Sequence, residues 1–281
     1  MRWQGRRQSS NVEDRRGLSS KGIVGGGIGS IIIVLVVLLL GGDPTSLLQN
    51  IDTTNQTTSS NYTETSEEKE LAQFSSVVLA ETEDVWHSIF ADIGKTYREP
   101  KMVLFTESVQ SACGTAGSST GPFYCPGDEK LYLDLSFFNE LQTRFKAPGD
   151  FAMAYVIAHE VGHHIQNLLG TMDKVQSLRS RLSQEEYNKY SVRLELQADF
   201  YAGVWAHYTD KMKGLLEQGD LDEALNAASA VGDDRIQKQM QGYIVPDSFT
   251  HGTSEQRKRW FYKGYTTGDI TQGDTFNTDN I

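Results

Sequence analysis

His159, Glu160 and His163 follow one another in the order H-E-x-x-H. In a helix, residues four apart share a face about one turn, ~5.4 Å, along the axis. Two imidazoles so placed can grip one metal ion. Zinc suits them: imidazole nitrogens bind it at ~2.0–2.1 Å, and a hydrolytic site leaves one position open for water. Glu160, one residue on, points to a neighbouring side, from which its carboxylate can act as a general base toward that water. A third protein ligand is needed. Glu195-Leu196-Gln197-Ala198-Asp199 lies downstream, with Glu195 and Asp199 again four apart. Glu195 is the candidate ligand. Asp199, one turn on, can accept the free ring N–H of His159, and Ala198 leaves room for close helix approach. The competing readings are incidental surface polarity for the first motif and a solvated polar stripe for the second. Neighbours weigh against both. Ala152, Val156, Ile157, Ile165 and Leu168 flank the first, and Leu194, Leu196, Phe200, Tyr201 and Trp205 the second. Those apolar faces bury the helices, and buried polar groups need partners.

The elements that must position these residues follow from local signals. Pro148-Gly149-Asp150 predicts a helix start with Asp150 as N-cap, a run over Phe151–Leu169 and a stop at Gly170. Ser183 and Glu186 form a capping box for a second helix reaching about His207. A third spans Leu221–Gln241. Leu71, Phe74, Val78, Val85, Ile89 and Ile93 give residues 67–97 helical spacing. Lys101–Val109 reads as a strand and Ser111–Gly121 as a loop. Phe123–Asp134 reads as a hairpin turning at Pro126-Gly127-Asp128, with Leu131–Leu135 as an edge strand open to an extended substrate backbone. The C-terminal 35 residues read as irregular. Within them His251, near Arg257, is a candidate donor to a developing oxyanion, with an ordinary surface histidine as the alternative. His164 is expected to pack away from the metal, and Asn167 is a candidate to line the cleft. His87 and His207 look structural.

The chain has 281 residues and a net charge of −11. Its distribution is uneven: residues 1–21 carry +4 and the remainder −15. An acidic body argues against nucleic-acid binding, which needs a positive surface. Ile23–Leu40 holds 18 residues without a charge, near the ~20 apolar residues needed to cross a bilayer. This predicts four segments: a basic cytoplasmic N-terminus (1–21), a single-pass transmembrane anchor (22–42), a flexible polar linker (43–66) and an extracytoplasmic domain (67–281). The basic flank sets the orientation. Cys113 and Cys125 would then form a disulfide across a short loop. Metal ligation is the alternative, though their spacing lacks the close pairing of zinc knuckles.

H-E-x-x-H followed by E-x-x-A-D resembles the gluzincin metallopeptidases. The chain is more closely similar to the predicted neutral zinc metallopeptidase family, on Met1-Arg2-Trp3, Arg15-Arg16-Gly17, Gly121-Pro122-Phe123-Tyr124-Cys125-Pro126, Leu131-Tyr132-Leu133-Asp134, His159–His164, Glu195–Asp199 and Phe249-Thr250-His251-Gly252. The resemblance implies a membrane-tethered bacterial peptidase. The expected fold is α+β: a small zincin-like domain with a short sheet packed on the active-site helix and further helices. The expected chemistry is Zn2+-dependent hydrolysis of a protein or peptide, with His159, His163 and Glu195 on the metal, Glu160 and His251 catalytic, and Asp199 orienting His159. A zinc-stabilised binding module and a zinc hydrolase acting on cell-wall material are the alternatives.

Overall fold

The computed structural model describes residues 1–17 and 62–281. In chain order the elements are β1 (Val12–Asp14), α1 (Ser66–Asp92), β2 (Lys101–Phe105), β3 (Ser108–Ser111), β4 (Gly114–Gly117), β5 (Phe123–Cys125), β6 (Lys130–Asp134), α2 (Ser136–Thr143), α3 (Asp150–Leu168), α4 (Thr171–Gln176), α5 (Gln184–Lys213), α6 (Asp220–Ala230), α7 (Asp233–Gln241) and α8 (Ser254–Thr267). The class is α+β. Four strands form one sheet in the order β1-β2-β6-β5. β1, β2 and β6 run parallel, and β5 closes the edge antiparallel to β6.

Strand alternation sorts the sheet into two faces. Met102, Leu104, Leu131, Leu133 and Tyr124 join the helices in the main core. Val103, Phe105, Tyr132 and Cys125 face the other way, where Val109 of the β3–β4 hairpin completes a smaller core. The Cys113–Cys125 disulfide staples the hairpin turn to β5. Beneath the sheet, α5 crosses α8 at two glycines. A Cβ on Gly203 would fall 2.0 Å from the carbonyl oxygen of Phe261, and one on Gly264 2.1 Å from that of Phe200. Only glycine permits this approach.

Several expectations are corrected. Residues 1–17 belong to the domain. β1 pairs with β2, Met1 and Trp3 are buried, and Trp3 meets Phe74 edge-on. The Met1 ammonium lies 2.7 Å from Asp150 and 3.3 Å from Asp220. Arg6 and Arg7 pair with the buried Glu81 and Glu83 of α1 at 2.8 and 3.0 Å. The N-terminal positive charge is therefore used to neutralise the acidic body. A single crossing between residues 17 and 62 would put these partners on opposite sides of a bilayer, so the domain preceded by one spanning helix does not hold. Among the described residues no helix is long and apolar enough to cross a membrane. The segment expected to do so, 22–42, lies outside them, as does most of the 43–66 linker.

The remaining corrections are local. Asp150 is not the cap of α3, because its carboxylate is taken by Met1. The cap position is Gly149, and Glu223 of α6 accepts the free Phe151 N–H at 3.0 Å. The third predicted helix breaks into α6 and α7 at Gly232, where a Cβ would fall 2.4 Å from the Ser254 nitrogen at the start of α8. β3–β4 occupies a stretch read largely as loop, and α8 one read as irregular. β6 is interior; the edge strands of this sheet are β1 and β5.

Candidate metal centre

The site forms where α3 crosses α5. Gly162 makes the crossing tight: a Cβ there would lie 2.8 Å from the Ala198 carbonyl oxygen. The approach brings the side chains of one helix onto those of the other. His159 Nε2 lies 3.1 Å from Glu195 Oε2, and His163 Nε2 lies 3.4 Å from Glu195 Oε1. One ligand atom from each of the three residues falls within 4.8 Å of the others.

The outer ring nitrogens are held as well. His159 Nδ1 lies 2.8 Å from Asp199 Oδ1. Asp199 is fully buried and also accepts from Tyr155 Oη at 2.5 Å and from Arg257 Nε and Nη2 at 2.8 and 2.9 Å. Burial disfavours the Asp199 carboxylate, but Arg257 and His159 outweigh it and hold its pKa below the usual value. The group is thus a carboxylate, and His159 Nδ1 must be the donor. Burial also opposes charging His159, yet Asp199 and Glu195 raise it to about 10. For Glu195, burial is outweighed by the cationic forms of His163 and His251, which drive its pKa well down. Burial raises Glu160 and dominates over the neighbouring histidines. A carboxyl shifted upward is a better proton acceptor near neutral pH.

A cleft of about 580 Å³ opens over these residues. Glu160, His159, His163, Glu195 and His251 line it, with β5 and Gly121-Pro122 along one wall. Tyr124 of β5 accepts from Asn167 at 3.1 Å and meets His164 Nδ1 at 3.0 Å. His164 is fully buried and reaches the Arg98 carbonyl at 2.7 Å, so it packs away from the metal groups, and Asn167 shapes the cleft only through Tyr124. His251 is brought to the cleft by Asp233 at the start of α7. Asp233 accepts the backbone N–H groups of Thr250, His251 and Gly252 at 2.7, 2.6 and 3.1 Å, and its other oxygen lies 3.2 Å from His251 Nδ1. Partial desolvation in the cleft opposes protonation of His251, whose side chain stays half exposed, but Glu195 and Asp233 raise its pKa. Sequence reasoning missed Arg257, Tyr155, Asp233 and Gln166. Tyr155 had a usable signal, one turn before His159 on α3; the others sit on elements whose docking the sequence does not announce.

The donor set fits a divalent zinc ion: two imidazole Nε2 atoms and one carboxylate, with the far side of each ring already hydrogen-bonded. Fold and site together define an α+β domain carrying a metallopeptidase-type centre on two crossed helices. The chain matches, over residues 1–276, the family described as Putative neutral zinc metallopeptidase, and it belongs to that family. It is 50% identical over 286 residues to the protein named Uncharacterized protein YpfJ in Escherichia coli (strain K12), covering 98% of this chain and 99% of that one. To Uncharacterized protein Rv2575 of Mycobacterium tuberculosis it is 46% identical over 195 residues, covering 66% and 65%. No solved structure matches.

Proposed function

We propose that the domain is a zinc-dependent peptidase that cleaves peptide bonds with water. The observation that carries this reading is the convergence of His159, His163 and Glu195 beneath a cleft that Glu160 also lines. His159, His163 and Glu195 would hold the ion. Bound there, zinc supplies Lewis acidity toward a carbonyl oxygen and a water molecule. Glu160 takes a proton from the attacking water and returns it to the leaving amine. His251, steadied by Asp233, donates to the oxygen on which negative charge develops. β5 offers its free edge to an extended substrate backbone.

The test uses the full chain, as wild type and as Glu160→Gln. Zinc content is measured, and both are incubated with a proteome-derived peptide library. Both should carry zinc, and the variant should cleave more slowly than the wild type by ~10²-fold or more. A zinc-loaded wild type that leaves every peptide intact would refute the reading.

A further inference from the structure

The two histidines are held from behind in different ways. His159 is held by a carboxylate, whereas His163 Nδ1 lies 2.9 Å from Oε1 of Gln166, an amide on the same helix. Gln166 is fully buried. Its Nε2 donates to the Leu194 carbonyl at 2.6 Å and to Gln197 Oε1 at 3.2 Å. Gln197 in turn donates from Nε2 to the Gly273 carbonyl at 2.8 Å.

The direction of this chain is dictated by chemistry. A backbone carbonyl only accepts. The Leu194 carbonyl therefore fixes which end of the Gln166 amide is NH2, and the Gly273 carbonyl does the same for Gln197. The two assignments agree where the amides meet. Gln166 Oε1 is left facing His163, so Nδ1 of His163 must carry the proton. Its Nε2 then keeps a free lone pair on the side of Glu195. Leu194 immediately precedes Glu195, so the same amide ties the second histidine to the backbone that presents the third ligand.

We infer that Gln166 is a positioning residue for the metal centre. It sets the tautomer and ring angle of His163, and holds α5 in register so that Glu195 meets both histidines. Gln197 supports it from behind without touching His163. The inference rests on the metal-site reading but not on catalysis, so its test reads metal binding.

Zinc affinity of the full chain is measured by competition with a chromogenic chelator, alongside the visible spectrum of the cobalt(II)-substituted protein and the melting temperature without metal. Gln166→Met keeps the length but removes the acceptor. It should weaken zinc binding by ~10–100-fold, the usual effect of losing an outer partner of a ligating histidine, and alter the cobalt spectrum. Gln166→Glu keeps an oxygen facing Nδ1 but loses the donor to the Leu194 carbonyl, so it should hold zinc more tightly than Gln166→Met and less tightly than wild type. Gln197→Met should lower the melting temperature yet leave the cobalt spectrum unchanged. Equal affinity losses in Gln166→Met and Gln197→Met would mean a packing role only and overturn the inference; so would wild-type affinity in Gln166→Met. Should Gln166→Met not fold, the zinc-loaded wild type decides. The His163 Nδ1 proton should exchange slowly with water, and rapid exchange overturns the assignment.

Discussion

Arg257 closes on Asp199 with two hydrogen bonds, Nε to Oδ2 at 2.8 Å and Nη2 to Oδ1 at 2.9 Å. Both groups are buried. Removing one member of such a pair leaves an uncompensated charge in a low-dielectric interior. Arg257→Met should therefore cost about 3–5 kcal/mol in denaturant unfolding of the metal-free chain. A wild-type midpoint would show that Tyr155 and His159 suffice to hold the carboxylate.

Gly162 and Gly203 both sit at helix crossings, but only the first crossing carries the metal groups. Alanine at either position forces side-chain volume against backbone, a kind of overpacking that costs ~1–3 kcal/mol. Melting temperatures of Gly162→Ala and Gly203→Ala should both fall. Zinc affinity should fall in Gly162→Ala alone, because α5 must move away from α3 there and takes Glu195 with it. Chelator competition on the two variants checks this.

Glu195 and His251 have separable roles in the proposed site. Glu195→Ala should lose most of its zinc affinity. His251→Ala should keep zinc and lose ~10²–10³-fold in kcat, the scale set by removing one donor to an oxyanion, with little change in KM. Equal zinc losses in the two variants would undo the ligand assignment.

Glu13 on β1 gives the fold a pH dependence remote from the metal groups. The hydrogen bond from Lys130 Nζ, at 2.9 Å, is the main cause of its lowered pKa; burial opposes it, and Arg15 adds to the lowering, so the value settles at about 2. A folded-state pKa below the unfolded value of 4.5 stabilises the fold when the group is ionised. This contribution is complete above pH 4.5 and is lost as pH falls through about 2. Glu13→Gln should thus be less stable than wild type at neutral pH, with the difference shrinking between pH 4.5 and 2. Parallel stability curves over that interval would rule out the effect.

The inner site was legible because helix geometry alone relates its members. His159 and His163 share a face by spacing, as do Glu195 and Asp199, and apolar neighbours show that both faces turn inward. The capping box at Ser183 was legible for the same reason: its signal is local, and the structure has it. Arg257 was not legible, since it reaches Asp199 across 58 positions from a helix rich in polar residues. That helix carries its own capping box, Thr253 with Gln256, a local signal that marks where it starts but not where it docks. β3–β4 is made largely of Gly, Ser and Thr, and is held by backbone pairing in place of an apolar alternation. The apolar run at 23–40 invites a membrane reading, and the charges of residues 1–17 then read as its cytoplasmic flank because their partners, Glu81 and Glu83, lie far along the chain and only the fold brings them near.

Val12 pairs with Met102, and Met102 pairs with Leu131. During synthesis β1 is made early, but its neighbour in the sheet emerges much later, after the uncharged stretch at 23–40 and all of α1. Domains generally fold as units as the chain is made. This one cannot complete its sheet until late, since its opening strand must wait for the segments that will receive it. A fragment starting at α1 would leave the β2 edge bare and the Trp3 position empty, so biochemical work on the domain has to begin from its first residues.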